Sequence, residues 1–149
     1  MKIYFITSLL SLLLFHPKVI CAQAASSDRA IHDLIALYAK ARDYQDTVLL
    51  KEILTEDIDQ LVSTGEWRLG IREAITGMLS STTTNPGARK LIVERVKFLD
   101  HHHALADARY EISNPDGTTR KMWSTFITIY RDRKWKITGI RNMMPAIRR

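Results

Sequence analysis

Two aspartates are the first residues whose type and spacing could do chemistry. Asp57 and Asp59 stand two positions apart in a stretch that alternates weakly between polar and apolar residues. On a strand such a pair shares one face, so the two carboxyl groups could act as acid and base if that face lined a pocket. Alternatively, Asp57 follows a helix and bonds to nearby backbone N–H groups. Both interpretations stay open, because a shift of one residue in register exchanges the faces.

Three consecutive histidines, His101, His102 and His103, invite a metal-binding interpretation, because imidazole binds zinc, copper or nickel. They fall between two predicted strands, where a turn is exposed to solvent, and the sequence suggests no third ligand. The sequence also has no phosphate-binding glycine loop, catalytic triad or zinc-finger spacing. We therefore expect a solvated turn, no metal and no cofactor.

The elements that would position these residues begin with three predicted helices, Asp28–Tyr44, Val48–Leu54 and Gly70–Leu79. Ser26-Ser27-Asp28 has the composition of a cap for the first helix, and Asp46-Thr47 of a cap for the second. The polar segment Ser80–Gly87 is predicted to be a loop. One stripe of the first helix carries Ile31, Leu34, Ile35, Tyr38, Ala41 and Arg42.

The second half of the chain has the composition of antiparallel strands, rich in β-branched and aromatic residues. The predicted strands are Ile58–Ser63, Arg89–Leu99, Ala104–Ser113, Thr118–Tyr130 and Trp135–Met143. Asn114-Pro115-Asp116-Gly117 is the strongest turn sequence. Helices followed by a meander predict an α+β fold, with the three N-terminal helices packed on one face of a curved antiparallel sheet.

Residues 1–24 have the pattern of a cleavable signal peptide, with Lys2, an apolar run from Ile3 to Phe15 and a small-x-small site at Ala22-Gln23-Ala24. The run is too short to cross a bilayer, although an uncleaved anchor or a buried helix remains an alternative. Cleavage before Ala25 would leave one domain of about residues 27–149, periplasmic or secreted, with no lasting membrane anchor. The single cysteine, Cys21, would be removed with the peptide.

The formal net charge is +6, and the excess is concentrated near the C-terminus. The segment from residue 118 to the C-terminus contains one acidic residue, Asp132, and many lysines and arginines. These basic residues are interpreted either as solvated turn and outer-face positions or as a surface for anions. Nucleic acid is not expected as a partner, because the protein is predicted to be exported and aromatic residues are not interleaved with the charges.

Four segments form a series along the chain: Tyr38–Asp43, Leu50–Asp57, Gly65–Ile75 and Lys134–Asn142. In this order and spacing they resemble the nuclear-transport-factor-2-like superfamily, and most of all its SnoaL-like and SgcJ/EcaC-like small domains. The resemblance implies a cone-shaped sheet wrapped around the first helix, with an apolar pocket at one end, and commonly a dimer through the outer sheet face. It does not fix an activity, because this fold hosts isomerases, cyclases, dehydratases and binding modules.

The ketosteroid-isomerase branch of the superfamily uses a tyrosine and two carboxyl groups, and only the tyrosine has a match here. Tyr38 corresponds to the tyrosine that donates to a developing oxyanion. Val62 falls at the position of the carboxylate base, and Ser124 near the second acid. Gln60 could point inward, but an amide takes no proton. We therefore do not expect steroid isomerisation.

Five residues are the predicted ligand contacts: Tyr38, Trp67, Ser124, Asn142 and Arg141. Only one of Arg141 and Asn142 can face the cavity, because neighbours in a strand point to opposite faces. Asn142 matches the terminal motif of the superfamily. Arg141 would suit an anionic ligand at the pocket mouth, or else be an exposed residue at a strand end.

Three functions fit these features. The leading hypothesis is an exported homodimer that holds a small apolar or mixed-polarity molecule inside the cone. The second is an enzyme of the same fold (isomerase, dehydratase or hydrolase type) that uses Tyr38 and polar pocket residues. The third is a protein-interaction module that acts through its sheet face.

Both faces of Thr118–Tyr130 are partly apolar, which predicts a strand buried on both sides.

Overall fold

The computed structural model of the 149-residue chain describes residues 17–85 and 87–145, with side chains from Ser26 onward. Three helices and six strands follow one another in the order α1 (Pro17–Asp43), α2 (Thr47–Ile53), β1 (Leu54–Leu61), β2 (Trp67–Leu69), α3 (Gly70–Thr84), β3 (Ala88–Phe98), β4 (His103–Ser113), β5 (Thr119–Arg131) and β6 (Lys134–Met143). All six strands form one sheet, in the order β2-β1-β6-β5-β4-β3.

Helix α1 already includes Pro17, the first described residue, so it does not begin at the predicted cap Ser26-Ser27-Asp28. The alanines before that cap favour a helix. The predicted signal peptide includes residues 1–16, which lie outside the described part of the chain, so its cleavage stays a prediction. None of the described helices is long and apolar enough to span a membrane.

The short helix α2 forms as predicted, because Asp46 caps it by accepting a hydrogen bond from the backbone N–H of Leu49 (2.9 Å). Strand β1 then starts directly at Leu54, four positions before the predicted strand. Its residues Ile58 and Gln60 are buried on the inner face of the sheet, whereas Asp57 is exposed.

Helix α3 continues to Thr84, so the predicted loop over Ser80–Gly87 is wrong for its first five residues. Hydroxyls of the last turns bond back to carbonyls four positions earlier, with Thr82 to Met78 at 3.0 Å and Thr84 to Ser80 at 2.9 Å. Serine and threonine have modest helix propensity, and these bonds satisfy their polar groups within the helix.

The sheet confirms the predicted α+β class and the four long strands of the meander. One feature differs from a wholly antiparallel sheet, because β1 pairs with β6 in parallel. The three-residue strand β2, which pairs antiparallel with β1, was not predicted. The predicted turn before β5 forms as expected, with Gly117 at φ 83° and its N–H donating to the carbonyl of Asn114 (3.0 Å).

The core lies between the helices and the inner face of the sheet. Three buried alanines of β4 (Ala104, Ala106 and Ala108) face this core. Their small side chains leave room for the apolar stripe of α1 and for Phe126, which pairs with Ala106 across the strands. Trp135, at the start of β6, closes the core at one end.

A bulge in β6 changes which residues face the core. Opposite β5, Ile137 pairs with Thr128 and Gly139 pairs with Ile127, so Thr138 is the extra residue. The Thr138 hydroxyl accepts a hydrogen bond from the Thr55 hydroxyl (3.2 Å). Before the bulge Ile137 is buried in the core, and after it Ile140 is buried there. The alternation beyond the bulge therefore places Asn142 on the inner face and Arg141 on the outer face.

Candidate functional site

A cavity of about 280 Å³ lies between the ends of α1 and α3, the turn after β1 and the inner face of the sheet. It is lined by Arg42, Gln60, Val62, Ser63, Thr64, Glu66, Arg68, Ser80, Ser81, Thr84, Asn85, Tyr110, Arg120, Met122 and Asn142. Most of these side chains are polar. The expectation of an apolar pocket with a few polar contacts is therefore wrong for this cavity, although a cavity within the cone was predicted.

Arg42 is the cavity residue with the most unusual environment. Its side chain comes from the core-facing side of α1 and the residue is only 6% exposed. Its Nη2 donates long hydrogen bonds to the Met78 carbonyl and the Thr82 hydroxyl (both 3.4 Å), and its buried Nε has no partner. No carboxylate of the described residues forms an ion pair with it. A buried cation without a counterion is costly, so this arrangement calls for an explanation.

Two tyrosine rings flank the Arg42 guanidinium. Its Cζ lies 5.8 Å from the ring centroid of Tyr38 and 6.0 Å from that of Tyr110. Burial opposes the charge of Arg42, but the two tyrosine oxygens favour it, and its pKa stays above the ordinary arginine value. Burial raises the pKa of the Tyr38 hydroxyl, and the Arg42 charge offsets part of that rise. The cavity therefore holds the positive charge of Arg42 beside the neutral hydroxyl of Tyr38.

Arg68 brings a second guanidinium to the cavity from β2. Its Nε donates to Glu66 Oε1 (3.0 Å) and its Nη1 donates to Gln60 Oε1 (3.3 Å). The side chain crosses α3 at Gly77, where a Cβ atom would overlap Nε, Cζ and Cδ of the arginine. The absence of a side chain at position 77 is thus what lets Arg68 reach the cavity.

Asn142 and Ser124 form a polar pair at the inner face of the sheet. The Ser124 hydroxyl donates to Asn142 Oδ1 (2.8 Å), which orients the amide. Ser124 is buried behind Asn142, whereas Asn142 lines the cavity. The Asn142 amide nitrogen has no hydrogen-bond partner in the described part of the protein, so it is available to a bound molecule.

The rim of the cavity is built around the end of α3. Arg89 donates to the carbonyls of Asn85 (2.6 Å) and Thr82 (3.3 Å), which stabilises the C-terminus of the helix. Arg120 donates to Asn85 Oδ1 (3.2 Å) and lines the cavity. A third guanidinium therefore stands at the edge of the same cavity.

The five predicted contact residues separate into two groups. Asn142 lines the cavity, Ser124 holds Asn142, and Tyr38 is buried beside Arg42 without being part of the cavity wall. Trp67 and Arg141, by contrast, contact each other away from it, with the Arg141 Cζ 4.8 Å from the Trp67 ring. Neither residue lines this cavity, because β2 leaves Trp67 50% exposed and the β6 bulge turns Arg141 to the outer face, and a ligand contact at either one stays a prediction.

The position of Arg141 on the outer face also bears on whether Asp57 and Asp59 can face the cavity. Arg141 forms a two-pronged ion pair with Asp59, at 2.8 Å to Oδ1 and 2.9 Å to Oδ2. Asp59 therefore faces away from the cavity, and Asp57 is exposed. Val62 lines the cavity. Glu66 is the one carboxylate among the described lining residues, and it is paired with Arg68.

The three histidines form a turn held by Asp100. Its Oδ1 accepts from the backbone N–H groups of His102 (2.7 Å) and His103 (2.8 Å), and the His103 ring lies 2.9 Å from its Oδ2. The His102 N–H and then the His103 ring lower the pKa of Asp100 to about 2. Within residues 17–85 and 87–145, no group of three potential metal ligands occurs.

A second, shallower groove of about 820 Å³ runs along α1 between Ser26 and Leu37, along α2 and along the turn before β6. Its floor includes Leu34, Ile53 and Trp135, and the Glu52–Lys134 ion pair (3.3 Å) stands at its edge. This groove adjoins the part of α1 whose side chains lie outside the description. No buried polar group without a partner belongs to its lining among the described side chains, whereas Arg42 lines the cavity between α1, α3 and the sheet, which favours that cavity as the functional site.

Sequence reasoning missed Arg42, Arg68, Tyr110 and Arg120 as cavity residues. One signal for Arg42 was present, because a charged residue within the apolar stripe of the first helix must be buried or reach a cavity. Arg68 gave no comparable signal, since its entry depends on β2 and on the space above Gly77.

Comparison with known proteins supports the fold. No protein-family model matches the sequence, and no curated protein matches it. A nuclear-transport-factor-2-like protein with a cystatin-like fold from Novosphingobium aromaticivorans superposes with a TM-score of 0.74 at 16% identity, over 91% of this chain and 94% of that one. A domain of unknown function with a cystatin-like fold from Nostoc punctiforme gives a TM-score of 0.72 at 19% identity, over 81% and 78%.

A third structure, a nuclear-transport-factor-2-like superfamily protein from Salmonella enterica, has a TM-score of 0.66 at 16% identity, with 83% and 94% of the two chains covered. The fold of this chain is thus the nuclear-transport-factor-2-like fold, as the four sequence segments suggested. At these identities the likeness concerns the fold and not the function.

Proposed function

We propose that this protein is a small-molecule-binding domain and that the ligand occupies the cavity between α1, α3 and the sheet. The observation that carries the proposal is the Asn142 amide, which Ser124 orients through Oδ1 while its nitrogen lacks a described protein partner. A partly buried, oriented donor that lines a cavity is the arrangement expected of a ligand contact. Because the lining is mainly polar, the ligand is of mixed polarity and not purely apolar.

Binding is better supported than catalysis. General acid–base chemistry needs a group that titrates near neutral pH within reach of the substrate. Val62 occupies the place of the base, and Glu66 is held by Arg68. The other ionisable side chains of the described lining are three arginines and Tyr110, and the lining includes no histidine and no second carboxylate.

Filling the cavity tests this proposal. Val62→Phe adds bulk to the cavity wall, whereas Val48→Phe makes the same change on α2, where the residue is 77% exposed. Native mass spectrometry of protein purified from its own compartment should show a retained small molecule in the wild type and in Val48→Phe, and at least about tenfold less in Val62→Phe. Equal retention by both variants would place the ligand elsewhere. No retained molecule in any sample would contradict the proposal.

We also propose that the chain is exported and that processing removes residues 1–24. The support is the sequence pattern of Lys2, the apolar run and Ala22-Gln23-Ala24. N-terminal sequencing of the protein isolated from its native host should begin at Ala25 or a close neighbour. Recovery of a cytosolic pool that starts at Met1 would contradict export.

The outer face of the sheet is proposed to bind a second copy of the chain. Strand β5 presents Trp123, Ile127 and Ile129 on this face, and Leu105 lies opposite Ile127 on β4. These apolar side chains are only partly buried, and the helices cover the other face. A homodimer that uses this face would bury them.

A further inference from the structure

Arg42 gives the ligand a chemical class. We infer that the cavity binds a small organic carboxylate whose charged group pairs with the Arg42 guanidinium, an inference that rests on the proposed small-molecule site. The buried Arg42 guanidinium has two long hydrogen bonds and two neutral tyrosines as neighbours, but no carboxylate of the described residues balances its charge. A buried charge without a counterion is costly for the fold. A bound anion supplies the missing partner.

The charge of the lining agrees with an anionic ligand. Arg42, Arg68 and Arg120 contribute three positive charges, and Glu66 is the one described lining residue that opposes them. Glu66 forms an ion pair with Arg68, and Arg120 bonds to the neutral Asn85 side chain. The cavity thus has an excess of positive charge, with Arg42 as its buried cation and Arg120 at its edge.

A carboxylate fits this site better than a larger inorganic anion. The planar guanidinium matches a carboxylate with two parallel hydrogen bonds. Only the Arg42 guanidinium is buried, and its hydrogen bonds are long, whereas Arg68 and Arg120 are partly exposed and bond to Gln60 and Asn85. The remaining donor, the Asn142 amide, can bind a neutral polar group of the same ligand. The volume of 280 Å³ is that of roughly nine water molecules, which limits the organic part to a small body.

Gly77 provides a way to weaken the positive field without touching Arg42. A methyl group at position 77 would overlap the Arg68 side chain, which can swing away, while the helix backbone is unchanged. Alanine also favours a helix over glycine. Gly77→Ala should therefore keep the fold, or stabilise it, and remove Arg68 from the cavity.

The test uses matched probes that differ in charge: formate, acetate and benzoate against formamide, acetamide and benzamide. By calorimetric titration of the full chain, at least one carboxylate should bind roughly 10- to 100-fold more tightly than its amide. Arg42→Met should abolish this preference, and Gly77→Ala should reduce it. Arg72→Met, which removes an exposed arginine of α3, is the matched control and should leave it intact.

Circular dichroism should show that each variant is folded. If Arg42→Met does not fold, Gly77→Ala still tests the inference, because it weakens the positive charge of the cavity and leaves Arg42 in place. Amides that bind as tightly as carboxylates, or a preference that survives in Arg42→Met, would overturn the inference. So would sulfate that binds more tightly than all three carboxylates, or no carboxylate binding at all. The proposed small-molecule site would still stand in these cases if native mass spectrometry finds a retained molecule that Val62→Phe excludes.

Discussion

Replacing Phe126 with alanine should lower the free energy of unfolding by about 3–5 kcal/mol. Phe126 is 1% exposed and packs edge-to-face against Tyr38, with ring centroids 5.2 Å apart. Its neighbour across the strands is Ala106, whose side chain is too small to fill the space that the ring would leave. A cavity would therefore remain beneath α1, and its cost adds to the lost burial of the ring.

Urea denaturation followed by circular dichroism measures this change. Tyr44→Ala is the control, because Tyr44 is 78% exposed and should cost less than about 0.5 kcal/mol. A loss of less than about 1 kcal/mol for Phe126→Ala would mean that α1 can collapse onto the sheet, contrary to the close packing described here.

Ile129→Asp should convert the proposed dimer into a monomer. Ile129 lies on the outer face of β5, opposite Lys136 of β6. In an isolated subunit the new carboxylate is solvated and stands beside that lysine, so the fold should be retained. In a dimer it would be buried without a partner, which costs about 3–5 kcal/mol and weakens association by more than about 100-fold.

Light scattering at tens of micromolar distinguishes the two states. The wild type and Val48→Asp, which places the same charge at an exposed position of α2, should both be dimers. A wild-type monomer under these conditions would remove the proposal. An Ile129→Asp dimer would show that copies associate through another surface.

The fold was largely predictable from the sequence because its signals are local. The four long strands follow from a second half rich in β-branched and aromatic residues, strong turns such as Asn114–Gly117 separate them, and the cap Asp46 begins α2 where expected. Strand β2 has only three residues, too few for a period to be visible. The last turns of α3 were not predicted, because a run of Ser and Thr residues is typical of a loop. In the structure their hydroxyls bond to carbonyls of the helix itself.

The candidate site was less predictable because it depends on features that no local pattern records. The single extra residue Thr138 decides that Asn142 faces inward and Arg141 outward, and a bulge has no reliable sequence signature. Arg68 reaches the cavity only because Gly77, nine positions later, has no side chain. The polar character of the cavity thus follows from tertiary contacts, whereas its existence follows from the fold.

The parallel pairing of β1 with β6 also sets the order in which this molecule can assemble. Strands β3 to β6 are joined by short turns and can pair with their neighbours as a local meander, whereas Asp59 and Arg141 meet across 82 positions of the chain. Closing so long a loop loses entropy before the new contacts can offset it, so we expect β1 to dock late and to limit the folding rate. The cavity needs Gln60 from β1 and Asn142 from β6, so a partly folded chain with only the meander formed has no ligand site.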